Sequence, residues 1–200
     1  MTIAFPSPQP ISQPISPREY AALLRNDLVA FIERAFYDLN PQTRFLLAPH
    51  IELLASRLED CRKGKIRRLI VNLPPRGLKS HSVSIAFAAW LLGHDPAIQI
   101  IAASYGQDLA DKLARDTRKI MESDWYRALF PTRLSARKAV NDFATTASGV
   151  RMATSVGGVL TGRGGRHHHR RSSQAGSGAL RGWPEGGQRM VRQYASIAPQ

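Results

Sequence analysis

Lys79 and Ser80 stand where a short loop meets an apolar run of helical length, and this placement suits phosphate chemistry. Residues 66–73, before the loop, have the apolar character of a buried strand, and an apolar run over residues 83–92 follows it. Strand, loop, Lys-Ser and helix is the layout of a phosphate-binding P-loop. There, backbone amides and the helix N-terminus face the anion, and the lysine adds a full charge. The pattern predicts a site for a triphosphate.

The generic P-loop pattern is matched only in part. It places glycine six residues before the lysine and again directly before it. Leu73 and Leu78 hold those positions here, and Gly77 is the one glycine of the loop. An ordinary strand-to-helix turn with an exposed lysine explains the same residues, so the loop alone leaves both interpretations open.

The elements that must position this loop follow from the periodicity of the chain. A helix capped by Ser16, with Pro17 at its first position, is expected to continue to Asn40. The other predicted elements are helices at about 50–61, 83–92, 107–122 and 125–130, strands at 66–73 and 98–103, and a hairpin at 142–146 and 150–153. This order favours an α/β fold, namely a three-layer P-loop NTPase-type domain with a mainly parallel sheet, incomplete and preceded by helices.

Composition divides the chain into three segments. Residues 1–16 contain four prolines and predict a flexible arm. Residues 17–165 hold the predicted elements and a glycine-rich loop. Residues 166–200 contain six arginines, one glutamate and no apolar periodicity, so we expect a basic, disordered tail.

The net charge of +13 and the isoelectric point of about 10.8 predict a polyanionic partner, although charge on an unfolded tail is an equal alternative. The tail carries +5 of this charge. The single cysteine, Cys61, excludes a disulfide framework and a cysteine metal cluster. No apolar run is long enough for a membrane span, and the N-terminus lacks the pattern of a signal peptide. We therefore expect no membrane association and a cytoplasmic location.

Residues 72–80, Asn-Leu-Pro-Pro-Arg-Gly-Leu-Lys-Ser, resemble the variant Walker A motif of tailed-phage terminase large subunits. Further segments that resemble the family follow in the family's order, at residues 90–96, 103–105, 123–126, 129–131, 151–158 and 161–165. The resemblance covers roughly residues 20–165. This family is the ATP-driven motor that packages phage DNA into a procapsid, with an N-terminal ATPase domain and a C-terminal RNase H-like nuclease domain.

The resemblance implies ATP and Mg²⁺ as cofactors. It implies that Lys79 contacts the β- and γ-phosphates, that Ser80 ligates Mg²⁺, and that Arg76 stabilises charge on the γ-phosphate. For Arg76, a surface position in the loop is the alternative. Gln42 matches the position of adenine contacts in the family, and ordinary linker chemistry beside a proline is its alternative.

Pro75, Gly77 and Leu78 complete the implied cofactor-binding loop. The implied partner is double-stranded DNA. For the intact relative, the portal protein, the small terminase subunit and a homo-oligomeric ring are implied as well.

A P-loop ATPase also needs a Walker B motif, an apolar strand ending in carboxylates that orient Mg²⁺ and polarise water. The resemblance places it directly after residue 165, where this chain has Arg-His-His-His-Arg-Arg-Ser-Ser and no carboxylate before Glu185. Codons for His-His-His-Arg-Arg-Ser-Ser, shifted by one nucleotide, can encode Ile-Ile-Ile-Asp-Asp-Pro. We therefore hypothesise a truncated terminase large subunit translated out of frame from about residue 166.

Alternative functions belong to other classes. The chain could be a non-catalytic basic DNA-binding module whose arginine-rich tail makes the contact, or an inactive pseudogene product. The run His167–His169 alternatively suits a metal-binding or affinity-tag-like tract or a nucleic-acid-binding arm. A sheet that lacks an expected strand predicts marginal stability and aggregation.

Overall fold

The computed structural model describes residues 15–136 and 142–155 and combines helices with a small sheet. The helices are α1 (Pro17–Asn26), α2 (Leu28–Leu39), α3 (Pro49–Arg62), a π-helix (Ser80–Ala86) that continues into α4 (Phe87–His94), α5 (Gln107–Glu122) and α6 (Asp124–Leu129). The strands are β1 (Gln99–Ser104), β2 (Asp142–Ala144) and β3 (Val150–Ser155). The α/β class is confirmed at this level.

Two helices replace the single helix that was predicted up to Asn40, so that prediction is wrong. The start is as predicted, because the Ser16 and Glu19 side chains form a reciprocal capping box. The chain becomes extended at Asp27, whose carboxylate accepts a hydrogen bond from the Ala30 amide at 2.9 Å and caps α2. An aspartate competes with helix propagation by this kind of local hydrogen bond. The helical spacing of apolar residues continues across Asp27, so the spacing alone does not reveal the break.

The core lies where the helices meet around α4. The Trp90 side chain is fully buried and its indole donates to the Leu24 carbonyl at 3.3 Å. The Tyr126 hydroxyl donates to the Ala89 carbonyl at 2.8 Å, and burial raises the pKa of this phenol. At Gly93, a Cβ atom would lie 2.6 Å from the Phe130 ring, so only glycine permits this approach. These contacts fix the helical run that begins at Ser80.

The described sheet has the order β1-β3-β2. β1 and β3 are parallel from the pair Gln99–Val150 to the pair Ser104–Ser155, and β2 and β3 form the predicted antiparallel hairpin. α5 packs across β1 and β3 with Ala110 and Ala114 against Ala153. On the opposite face, Val150 and Met152 are half-buried. With one parallel and one antiparallel pair of strands, the described sheet is mixed.

Residues 66–73, predicted as a buried strand, form no strand within the described residues, so this prediction is wrong. The segment alternates in burial: Leu69, Val71 and Leu73 pack partly against the core, whereas the Ile70 side chain is 95% exposed. β-branched residues favour an extended chain, but a strand also needs a neighbour to accept and donate its ladder hydrogen bonds. None of the three described strands pairs with this segment.

Three predicted segments lie outside the described residues. They are the arm at residues 1–16 except Ile15 and Ser16, residues 156–165 of the glycine-rich loop, and the tail at residues 166–200. Among the helices that are described, none has the length and apolar character needed to cross a membrane.

Candidate phosphate-binding site

The loop before Lys79 is built on two residues with an uncommon backbone conformation. Arg76 has a φ angle of 66° and Leu78 a φ angle of 55°. A side chain with a Cβ atom in this left-handed region costs roughly 1–2 kcal/mol. Such strain clusters at ligand clamps and active sites. The loop is thus held in a shape that its own residues disfavour.

Backbone amides at the end of this loop have no protein acceptor in the part of the chain that the structure describes. Leu78 is left-handed, and Lys79 follows in the right-handed region with φ −52° and ψ −51°. Successive residues of opposite hand form a nest, in which neighbouring N–H groups converge on an anion. Neither the Leu78 amide nor the Lys79 amide donates to another described group.

Ser80 begins the helix that follows the loop. Its first turns are π-helical, since the Phe87 amide donates to the Ser82 carbonyl five residues earlier. The helix then continues without interruption through α4 to His94. The helix was predicted from the apolar run, but the π geometry was not. The partial positive charge of a helix N-terminus therefore adds to the nest at Leu78 and Lys79.

The local charge is strongly positive. Residues 61–94 contain seven lysines and arginines and no aspartate or glutamate. Lys63 and Lys65 pair with Glu59 and Asp60 of α3. By contrast, neither Arg76, which is exposed, nor Lys79, which is half-buried, forms an ion pair with a described residue. These two side chains can therefore neutralise an anion at the loop.

α3 anchors the loop from one side. The His50 Nε2 atom, in the first turn of α3, lies 3.3 Å from the Gly77 carbonyl oxygen. Gly77 does not use the left-handed region, but a Cβ atom there would lie 3.2 Å from the Pro74 carbonyl oxygen. The Gly77 amide also closes a turn onto that carbonyl at 3.3 Å. Glycine thus serves close packing at this position.

His81 fixes the start of the helix from the core side. Its Nε2 atom lies 3.0 Å from the Ile32 carbonyl oxygen, and its ring meets the Phe36 ring edge-on at 5.5 Å between centroids. Burial lowers the pKa of this imidazole, which is therefore neutral at pH 7. The charged side chain nearest to His81 in the sequence is that of Lys79.

The predicted site residues Pro75, Arg76, Gly77, Leu78, Lys79 and Ser80 are consecutive and form one continuous loop and helix start. Gln42 is separate from them. It is exposed in the connection between α2 and α3, and no hydrogen bond joins it to the loop within the described residues. The ring of Phe45, in the same connection, packs on Phe36, which in turn contacts His81.

Sequence reasoning missed two residues that contact the helix after the loop. Arg151 of β3 and Thr117 of α5 both approach the Ser84 carbonyl oxygen. Alternation along β3 does place Arg151 at an inward position, but an arginine in a short strand next to a hairpin gives no sign of burial. Only the packing of β3 beneath the helix reveals it.

The residues of the site fit a phosphate better than a metal ion. Amides, a lysine and an arginine are anion ligands, and the Ser80 hydroxyl is the one side-chain oxygen of the loop. No group of three or more histidine, cysteine or acidic side chains gathers anywhere in the described residues. Mg²⁺ would therefore reach this site mainly through the phosphate oxygens, with Ser80 as its protein ligand.

Comparisons with protein-family models, curated protein sequences and solved structures give no match to this chain. The terminase resemblance therefore rests on the residues quoted above.

Proposed function

We propose that the chain binds the triphosphate of ATP, together with Mg²⁺, through the loop that ends in Lys79 and Ser80. The observation that carries this proposal is the left-handed backbone of Arg76 and Leu78 directly before the lysine. An ordinary strand-to-helix turn does not require two strained non-glycine residues. A nest of amides, by contrast, requires successive residues with left- and right-handed backbone conformations.

In this proposal the backbone amides and the side chains of the loop have separate roles. The amides of Leu78 and Lys79 hold phosphate oxygens, and the Lys79 ammonium contacts the β- and γ-phosphates. The Ser80 hydroxyl is the protein ligand of Mg²⁺. Arg76, exposed at the crest of the loop, stabilises charge on the γ-phosphate.

Hydrolysis should be very slow. Attack on the γ-phosphate needs a carboxylate that orients Mg²⁺ and another that polarises water. No carboxylate occurs from residue 61 to residue 94, and the sequence after residue 165 has none before Glu185. The proposed activity is therefore nucleotide binding without efficient turnover.

The family that best explains these features is the terminase large subunit. We interpret the chain as a P-loop ATPase-domain fragment of that motor. In the intact relative this would be a three-layer domain with a mainly parallel sheet. The chain would be encoded by a phage or prophage and located in the host cytoplasm. Double-stranded DNA, the portal protein, the small subunit and a ring of copies are the partners of the intact motor. An alternative remains a DNA-binding module without catalysis, whose DNA binding should vanish when residues 166–200 are deleted.

A nucleotide series tests the proposal. In the presence of Mg²⁺, ATP should bind the purified chain more tightly than ADP, and AMP should bind weakest, because the site contacts phosphates rather than the base. Calorimetric titration measures the three affinities. Equal affinities for ATP and AMP, or no binding of any of them, would contradict the proposal.

A further inference from the structure

The π-helical turns between Ser80 and Ala86 need a physical cause. The wider spacing, seen in the bond from the Phe87 amide to the Ser82 carbonyl, is rare and persists where neighbouring groups stabilise it. These turns lie immediately after Lys79 and set the direction in which the helix leaves the loop. Whatever holds them also positions the loop.

The Ser84 carbonyl oxygen, in the middle of these turns, is approached by two side chains. Arg151 Nη2 lies 3.2 Å from it and Thr117 Oγ1 lies 3.3 Å from it. The Thr117 hydroxyl lies only 2.7 Å from the Leu113 carbonyl oxygen. Because a hydroxyl has one hydrogen, the shorter contact takes it, and Arg151 is the principal side-chain donor to Ser84.

The guanidinium of Arg151 has an unusual environment. Arg151 is completely buried, belongs to the central strand β3, and its Cζ atom lies 6.0 Å from the centroid of the Phe143 ring. Among the described residues, its Nε and Nη1 atoms have no hydrogen-bond partner, and no acidic side chain forms an ion pair with it. This burial lowers its pKa to about 10.

A buried charge with one hydrogen bond does little for stability, since an apolar side chain of similar size often serves equally well or better. The hydrogen bond from Arg151 does, however, join the centre of the sheet to the helix that begins at Ser80. The charged donor is also the stronger of the two that reach Ser84.

We infer that Arg151 is a positioning residue for the phosphate loop: by donating from β3 to the Ser84 carbonyl, it holds the π-helical turns in place and thereby sets the orientation of Lys79 and Ser80. This inference rests on the proposed function for its consequence in binding. The clamp itself is a property of the unliganded chain.

Hydrogen exchange of the full-length chain without nucleotide tests the clamp. In Arg151→Met, the amides from Ser84 to Phe87 should exchange about tenfold faster or more, while the melting temperature stays equal or rises. Arg151→Lys, which retains a charged donor, should move exchange back towards the wild-type rate. Thr117→Val removes the weaker contact and should leave exchange within about threefold of wild type.

Arg151→Gln is a second neutral variant, with a side chain too short to span to Ser84, and the same local acceleration is expected. The inference is overturned if a folded neutral variant exchanges at the wild-type rate. It is also overturned if exchange quickens throughout the core together with a lower melting temperature, or if neither variant folds, because Arg151 would then be purely structural.

A titration with Mg²⁺-ATP separates this inference from the proposed function. If the wild type binds ATP, Arg151→Met should bind it about tenfold more weakly, and unchanged affinity would overturn the positioning role. If the wild type binds no ATP, the proposed function fails, and the exchange measurement still decides whether Arg151 clamps the π-helical turns.

Discussion

The His50 imidazole lies 3.3 Å from the Gly77 carbonyl oxygen and joins the first turn of α3 to the loop that precedes Lys79. Since a carbonyl only accepts hydrogen bonds, Nε2 must carry a proton in this contact. The loop is therefore held from α3 at Gly77, between its two left-handed residues, and from β3 through Ser84.

Removal of the His50 contact should weaken nucleotide binding. His50→Ala is expected to bind ATP about two- to tenfold more weakly than wild type, because a typical hydrogen bond contributes roughly 0.5–1.5 kcal/mol. His50→Gln, which keeps an N–H donor at a similar reach, is the control and should bind nearly as well as wild type. If the alanine variant matched the glutamine variant, the contact would have no role in shaping the loop.

Backbone strain at Arg76 can be separated from its charge. Arg76→Gly and Arg76→Ala lose the same guanidinium, but only glycine adopts a φ of 66° without a Cβ penalty. We expect the glycine variant to be more stable than the alanine variant by roughly 1 kcal/mol in urea unfolding. Equal unfolding midpoints, or a more stable alanine variant, would mean that Arg76 is not strained in solution.

Two histidines, the buried His81 and the exposed His94, predict a loss of stability in acid. Burial lowers the pKa of His81. For His94, partial desolvation is the larger cause of a lowered pKa and the nearby Arg62 charge is the second. The His94 Nε2 atom also contacts the Arg25 carbonyl oxygen. Both rings bind a proton more readily in the unfolded chain, so stability should be retained above the unfolded pKa of about 6.5 and fall as the pH drops below it. Urea midpoints at pH 7.5 and 5.5 measure this.

The control for that prediction is His81→Gln, which cannot titrate. Its midpoint should depend less on pH than that of wild type over the same interval. A wild-type midpoint that stays constant or rises from pH 7.5 to pH 5.5 would contradict the assignment of these rings as neutral.

The coding DNA tests the origin of the tail. A shift of one nucleotide near codon 166 should open a frame that encodes Ile-Ile-Ile-Asp-Asp, supplying the apolar strand and the carboxylates that residues 166–173 lack. Sequencing across that codon gives the answer. If no shifted frame encodes this strand, the frameshift hypothesis is wrong, although the phosphate loop is unaffected.

Periodic elements were predictable where one face alone is buried. α5 was predicted with its observed bounds, because Leu109, Leu113 and Ile120 recur at helical spacing; Leu113 and Ile120 are buried, whereas Leu109 is 42% exposed. The hairpin of β2 and β3 followed from its turn residues. These signals are local, so the sequence contains them in full.

Features that depend on distant partners could not be predicted. The apolar character of residues 66–73 does not show whether a neighbouring strand is present, so the strand prediction was wrong. The π-helical turns depend on Arg151, some 67 residues away from Ser84. In the site, Lys79 and Ser80 were recognisable by type, whereas the anchors His50 and Arg151 were not.

The most direct measurement compares ATP binding by Lys79→Ala with that by Lys63→Ala in the presence of Mg²⁺. Lys63 carries the same charge sixteen residues earlier but pairs with Glu59 at 3.1 Å, so its loss controls for net charge. A loop that binds phosphate through Lys79 predicts at least about tenfold weaker binding for Lys79→Ala and nearly wild-type binding for Lys63→Ala. Equal affinities for the two variants, or a wild type that does not bind ATP, would contradict a phosphate site at this loop.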